Sequence, residues 1–290
     1  MEIFVTGATG AIGRPLTEAL AAAGHEVVAG TRHPEAYRGP GRAVQFDLDA
    51  HGRADPGEAA RTADAAFYLV HALDQRSFAQ VDRDRAERFA DLWGADRPVV
   101  YLGGLGEPGL GSPHLRSRHE VGLILRRRCE TIELRAAMVL GAESISFQLL
   151  ARLGRLASFS PLPVLAPQAS RARTQPIGQA DLVAALVHAL ELEPGSYDVG
   201  GPEVIRYADL MERAARAQGR TLKVLPVVPL DPEWIGPATS VAAGVDPWAT
   251  SALFAGMGEE TVVRPDHRVP GPELATTSID DALAAALAGP

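Results

Sequence analysis

Three glycines stand three apart, Gly7, Gly10 and Gly13, in the stretch Thr6-Gly7-Ala8-Thr9-Gly10-Ala11-Ile12-Gly13. A short apolar run, Ile3-Phe4-Val5, precedes them, and a helical pattern from Arg14 to Ala23 follows. Strand, glycine turn and helix in that order make a cradle for a pyrophosphate. Gly7 permits the tight turn. Gly10 carries no side chain to hold a phosphate away, and Gly13 lets the helix pack close on the strand. The first N–H groups of such a helix lack partners within it, and the helix dipole adds partial positive charge there. Thr6, Gly7, Thr9, Gly10, Ala11, Ile12 and Gly13 are therefore expected to bind an anionic dinucleotide.

The elements that position this loop follow from the hydrophobic pattern. The first helix begins near Ala11, carries Pro15 in its first turn and stops at Gly24, where helix ends favour those residues. Glu26 to Thr31 reads as a second strand that runs out into Arg32 and His33. Sites that select NAD place an Asp or Glu near this strand end, on the ribose 2′-hydroxyl. No acid stands here, and Arg32 can hold a 2′-phosphate through paired N–H groups. NADP(H) is therefore expected in preference to NAD(H), with Arg32 and His33 at the adenosine end. Ala43 to Phe46 is a third strand, and Asp47 and Leu48 after it are placed beside the adenine. Ala65 to Val70 is a buried fourth strand by its continuous apolar run. Its last residues, Leu69 and Val70, and His71 after them face the cofactor crevice.

Residues 78–93 form an amphipathic helix. Pro98 to Leu102 is a fifth strand, and Gly103-Gly104-Leu105-Gly106 leaves it beside the nicotinamide position. A helix over 114–129, a strand over 131–135, a helix over 180–192 and a strand at 197–199 continue the alternation. Strands alternating with helices imply an α/β chain, a doubly wound parallel Rossmann sheet. The alternation weakens after Gly141 and gives way to a Pro-rich, irregular region after Pro202. Residues 1–141 and 174–200 are expected to form the NAD(P)-binding domain. Residues 142–173 and 202–290 are expected to form a smaller substrate-binding lobe.

Composition narrows the class further. Of 290 residues, 46% are apolar and 22% charged, an ordinary globular balance. The net charge of −8 argues against a nucleic-acid partner. No apolar run reaches the roughly 20 residues of a membrane helix, and no signal segment opens the chain, so no membrane partner is expected. Cys129 is the single cysteine, which rules out an internal disulfide and fits a cytoplasmic location. Arg126-Arg127-Arg128 reads as the solvated C-terminal end of a helix. No metal site is expected. The chain is expected to act as a monomer or homodimer on a small apolar molecule.

The glycine stretch resembles the fingerprint of extended and atypical short-chain dehydrogenase/reductases. Leu134-Arg135-Ala136 with Val139-Leu140-Gly141, Arg173-Thr174-Gln175-Pro176-Ile177 with Asp181, and Val199-Gly200-Gly201-Pro202-Glu203 resemble later segments of that family. Tyr68-Leu69-Val70-His71 and His114-Leu115-Arg116-Ser117-Arg118 are similar to stretches in a bacterial group of reductase-like proteins related to the complex I accessory subunit. The resemblance implies a Ser or Thr after strand five and a Tyr-x-x-x-Lys on the next helix. Here those positions fall on Gly103 or Gly104, on His114 and on Arg118. A histidine can act as a general acid near neutral pH. Arg118, one helical turn on, can bind the nicotinamide ribose, but an arginine with a pKa above about 12 is a poor proton shuttle. The competing reading makes His114 a helix-entry residue and leaves Arg118 binding cofactor only. Ser112, His71, His119 and Tyr101 are further candidates.

Two functions follow. One is an NADPH-dependent ketoreductase without the usual Ser/Tyr/Lys relay, acting on a mid-sized, aromatic or polyketide-like carbonyl compound. Its apolar pocket would draw on Phe147, Phe159, Leu162, Trp234, Trp248, Phe254 and Met257. The other is a non-catalytic NAD(P)-binding redox sensor or assembly protein, which the missing relay favours.

Overall fold

The computed structural model describes residues 1–49, 61–72, 75, 77–107, 111–158, 162–229, 250–251 and 255–289. The first strand, β1 (Glu2–Thr6), turns through the glycine loop into α1 (Gly13–Ala22). β2 (Glu26–Thr31), β3 (Arg42–Gln45) and β4 (Ala65–Tyr68) follow, then α2 (Phe78–Trp93). β5 (Pro98–Gly104), α3 (Pro113–Arg128), β6 (Glu130–Ala136) and β7 (Val139–Leu140) complete the first half.

Seven strands form one sheet in the order β11-β6-β5-β4-β1-β2-β3, where β11 is Gly195–Val199. Every pairing in it is parallel. β1 sits near the middle because its side chains are buried on both faces. Ile3 and Val5 point to one side, against Leu16 and Leu20 of α1 and Leu182 and Leu186 of α5 (Gln179–His188). Phe4 points to the other, where Phe89 and Trp93 of α2 and Val121 and Leu125 of α3 complete the layer. Helices on both faces of a parallel sheet are the doubly wound arrangement expected from the alternation. Glu130–Ala136 reaches one residue further at each end than the expected 131–135, and Ala65–Tyr68 stops two residues short of Val70, within the usual scatter of strand ends.

The later chain is more regular than its prolines suggest. Residues 142–173, read as a weakening of the pattern, contain α4 (Ile145–Ala157) and the strand β8 (Val164–Pro167). Short strands β9 (Arg173–Thr174) and β10 (Ile177–Gly178) lead into α5. Beyond Pro202 lie β12 (Ile205–Arg206), α6 (Tyr207–Ala217), β13 (Val224–Val228) and α7 (Ile279–Ala288). These elements make their own cores. Leu140, Phe147, Leu150, Leu210 and Leu283 form one; Ala166, Ala208, Ala215 and Val224 form another. Two-stranded sheets β10-β7, β12-β9 and β13-β8 tie them together. A buried ion cluster fastens the end of the chain to the sheet edge. Asp198, fully buried on β11, accepts from Arg264 Nε at 2.8 Å and lies 2.8 Å from Arg135 Nη2. Among the described residues no helix is long and apolar enough to cross a membrane, and no cluster of His, Cys, Asp or Glu is suited to hold a metal.

Candidate dinucleotide and substrate crevice

A crevice of about 700 Å³ opens at the carboxyl ends of the strands, where ligands bind in open parallel sheets. Gly7, Thr9, Gly10, Ala11, Ile12 and Gly13 line its phosphate end. Gly7 has a φ of +66°, the left-handed conformation that favours glycine. A Cβ on Gly13 would fall 2.1 Å from the Gly7 carbonyl oxygen, so the helix can pack here only as glycine. A Cβ on Gly10 would meet nothing nearer than that oxygen at 3.2 Å, so this glycine keeps open the space a pyrophosphate needs. The first turn of α1 holds no acid to compete for its N–H groups. Thr6 is the exception in the stretch. It is fully buried, donates its hydroxyl to the Phe67 carbonyl at 3.1 Å and accepts from the Leu69 N–H at 3.1 Å. It pins β1 to β4 and does not face the crevice.

Arg32, His33, Asp47 and Leu48 line the adenosine end. Arg32 is exposed there and makes no ion pair among the described residues. Asp49, which the sequence reading missed, also lines this end. It accepts from Arg85 Nε at 2.8 Å, and that hydrogen bond holds its carboxyl below the usual range.

Leu69, Val70, His71, Gly103, His114 and Arg118, expected at the nicotinamide, all line the crevice. α3 presents His114 and Arg118 on one face, four residues apart. Ser112 caps the helix by accepting from the Leu115 N–H at 3.3 Å. Arg118 is buried: its Nη2 donates to the Leu102 carbonyl, and its Nη1 has no hydrogen-bond partner among the described residues. A buried guanidinium donor without a partner fits a ligand oxygen at this point. The chain therefore fits a dinucleotide pyrophosphate at the open side of Gly10, and this donor is left for a ligand oxygen at the other end.

His114 differs from the expected general acid. Burial, reinforced by the Arg118 charge, lowers its pKa to about 3. At neutral pH it holds no imidazolium proton, although a neutral ring still has one N–H to donate. His71, open to the crevice, is pushed down by its surroundings and by the same arginine. Gly103 lines the crevice only with backbone. A side chain there would run into Glu133 Oε1 at 2.8 Å. The other candidates are structural. Ser112 is the cap, the Tyr101 hydroxyl donates to the Arg118 carbonyl at 2.9 Å, and His119 Nε2 lies 3.1 Å from the Gly104 carbonyl. None of the three lines the crevice.

The far wall comes from the later elements. Met138, Leu149, Leu153, Met211 and Met257 are apolar; Ser144, Ser146, Tyr207 and Thr261 are polar. The Tyr207 and Thr261 hydroxyls are 3.2 Å apart, and Thr261 donates on to Thr174 at 2.8 Å. No local signal marks these residues, because Tyr207 and Thr261 are 54 positions apart. Of the aromatic pocket residues expected, Phe147 is in a core and Leu162 is exposed. Met257 lines the crevice. Phe159, Trp234, Trp248 and Phe254 lie outside the described residues.

The fold is a doubly wound Rossmann sheet, and the glycine loop at its first strand is shaped to take a pyrophosphate. Residues 3–91 match the model of the NAD dependent epimerase/dehydratase family. Solved structures similar to the whole chain include a nucleoside-diphosphate-sugar epimerase from Staphylococcus aureus, at a TM-score of 0.72 and 16% identity over 98% of this chain and 100% of that one. The Bordetella bronchiseptica enzyme WbmH, in complex with NAD+, gives 0.68 and 15% over 99% and 97%. TunA, an NAD dependent NDP-hexosamine 5,6-dehydratase of tunicamycin biosynthesis, gives 0.64 and 17% over 99% and 96%. No protein of curated function matches the sequence. The family match covers residues 3–91, and the whole chain shares its fold with these structures.

Proposed function

We propose that the chain is an NAD(P)H-dependent reductase of a carbonyl group in a small apolar molecule. Residues 1–141 and 174–200 serve the cofactor, and residues 142–173 and 202–290 serve the substrate. The observation that carries this reading is the far wall of the crevice. Beyond residue 141 the described lining is thioether, aliphatic and hydroxyl apart from Glu143, whose carboxylate pairs with Arg14, and it has no Lys, Arg or His. A substrate diphosphate needs such cations, whereas an apolar ketone needs the surface that Met138, Leu149, Leu153 and Met211 offer.

The dinucleotide, when bound, supplies the hydride. The chain positions the acceptor and meets the charge that develops on its oxygen. Arg118 Nη1 and the N–H of a neutral His114 are the two donors for that oxygen. Stabilisation by fixed donors does not require either group to lose its proton, which suits an arginine and a histidine of low pKa. The final proton comes from water or from a substrate hydroxyl. Arg32 gives NADPH the preference over NADH through its 2′-phosphate.

The absent Ser, Tyr and Lys favour a second reading, a protein that binds NAD(P) without turning it over. The structural likeness to sugar-nucleotide enzymes adds a second substrate class. Two assays separate them: NADPH and NADH consumption with a panel of aromatic and quinone ketones, and conversion of UDP-glucose in the presence of NAD+ followed by chromatography of the sugar nucleotide, because an epimerase or dehydratase returns its hydride and consumes no cofactor. Consumption with apolar ketones supports the reductase. Turnover of the sugar nucleotide alone overturns the apolar reading, and micromolar NADPH binding with no turnover supports the sensor.

A further inference from the structure

Tyr207, Thr261 and Thr174 put three hydroxyls together in the far wall of the crevice. Tyr207 and Thr261 line it, and Thr174 is fully buried. The backbone holds all three against β9. The Thr261 N–H donates to the Arg173 carbonyl and the Gln175 N–H donates to the Thr261 carbonyl, each at 2.9 Å, so Thr261 lies in register beside Thr174. The Tyr207 N–H, at the head of α6, donates to the Ala172 carbonyl at 3.2 Å. Groups fixed in this way by rigid elements can hold a precise geometry toward a ligand.

The direction of the hydrogen bonds follows from the number of hydrogens. A threonine hydroxyl has one. Thr261 donates its hydrogen to Thr174 Oγ1 at 2.8 Å. It has none left for Tyr207 Oη, 3.2 Å away, so the phenol is the donor in that contact. Turning the phenol hydrogen toward the crevice would leave oxygen lone pairs facing each other in the wall, which is costly. Burial raises the Tyr207 pKa, so the phenol keeps its hydrogen at neutral pH. Thr174 also bonds the phenol side chain, which keeps the hydrogens within the three hydroxyls. Tyr207 therefore offers the crevice an oxygen lone pair and no hydrogen.

We propose that Tyr207 is a specificity residue that accepts a hydrogen bond from a hydroxyl group on the substrate. The inference rests on the reading of the crevice as a site for an apolar ketone, and it narrows that class to hydroxylated ketones. The hydroxyl is distinct from the carbonyl that is reduced, because a carbonyl oxygen has only lone pairs to set against another acceptor. Met211, one turn on from Tyr207, and Met257 also line the crevice, so the acceptor stands in an otherwise greasy wall. In such surroundings an unmatched polar group is costly, and a hydroxyl is told apart from an ether or a plain hydrogen. The same arrangement makes Tyr207 unfit to replace the missing relay tyrosine, since its hydrogen is already given to Thr261.

The test is calorimetric titration of the full chain with oxidised dinucleotide present, so that nothing turns over. The ligands are tetralone, a set of hydroxytetralones that differ in the position of the hydroxyl, and their methyl ethers. For at least one position the hydroxyl compound is expected to bind roughly fivefold tighter than its ether and than tetralone. Tyr207→Phe should bring the three to within about twofold of one another. Thr174→Val with Thr261→Val frees the phenol hydrogen, so the ether should gain on the hydroxyl compound. A tyrosine with only a structural role would not shift that ratio. Circular dichroism and dinucleotide affinity check the fold of each variant, and loss of fold in one leaves the other and the wild type to decide. The proposal is overturned if no ligand binds, if no position favours the hydroxyl, if the preference survives Tyr207→Phe, or if the ether gains nothing in the threonine variant. A binding preference without NADPH consumption keeps this inference and counts against the reductase. Equal binding and reduction of tetralone and every hydroxytetralone keeps the reductase and overturns this inference.

Discussion

The Arg118 guanidinium lies over the Tyr101 ring, its central carbon 5.0 Å from the ring centroid, while the Tyr101 hydroxyl donates to the Arg118 backbone carbonyl at 2.9 Å. One aromatic residue of β5 thus holds both ends of the arginine that faces the nicotinamide position. Tyr101→Phe keeps the ring and removes the hydroxyl. It should cost about 1 kcal/mol in urea unfolding, the worth of a neutral interior hydrogen bond. It should also lower kcat, because Arg118 gains freedom. Arg118→Met should weaken dinucleotide binding and abolish turnover, measured by fluorescence titration and NADPH oxidation.

The glycines of the loop should fail in two different ways. Gly13→Ala drives a methyl group into the Gly7 carbonyl and the Ala8 backbone, so thermal unfolding should show a large loss of stability. Gly10→Val should fold with a smaller loss, since its Cβ would lie 3.2 Å from the Gly7 carbonyl oxygen rather than overlap it, yet should not bind NADPH. A folded Gly10→Val protein with wild-type affinity would place the dinucleotide elsewhere.

Arg32→Ala should reduce the preference for NADPH over NADH by about 1.5–3 kcal/mol, the range for a hydrogen bond to a charged group. NADH affinity should hardly change. Calorimetric titration with the two cofactors reads this directly, and equal affinity of the wild type for both would remove the basis of the preference.

His114 makes the pH profile diagnostic. Its pKa is lowered from 6.5 to about 3, so above about pH 5 the ring is neutral, and kcat/KM should show no limb near 6.5. His114→Gln, which keeps a neutral donor, should retain more turnover than His114→Ala. The stability effect has a definite sign. Between about pH 6.5 and 3 the unfolded chain binds a proton on this ring that the folded chain does not. Folding is therefore weakened as pH falls through that window and unaffected above it. His114→Gln should flatten this part of the stability curve.

Much of the first half was legible in the sequence because its signals are local. The glycine spacing, Pro15, the apolar runs of β1 and β4 and the Arg-rich end of α3 each report their own element. α4 and α6 were harder to read. α4 starts after a loop and stops before a Pro-rich segment. α6 follows Gly200-Gly201-Pro202 with only the two-residue β12 as an element between, and its buried stripe is three alanines, Ala208, Ala214 and Ala215, with Leu210 alone of the large residues. The site divides in the same way. Residues that line the crevice as part of a motif were found, whereas Tyr207, Thr261 and Asp49 line it only because the fold brings distant segments together. Thr6 and Gly103 show the converse: each is part of a motif, but Thr6 joins two strands and the side-chain direction at Gly103 points to Glu133.

The N–H of Ser112, at the head of α3, is held by the Glu259 carboxylate, 147 residues further on. Burial raises the pKa of that carboxyl. The helix that presents His114 and Arg118 is thus anchored by a residue from the opposite side of the crevice. The two halves are therefore not interchangeable parts. A chimaera that takes its first 141 residues from this chain and the remainder from a relative would inherit the helix without its anchor. Recombination between such proteins is constrained to exchange positions 112 and 259 as a pair, and a shortened chain ending before Glu259 would lose alignment at the nicotinamide end first.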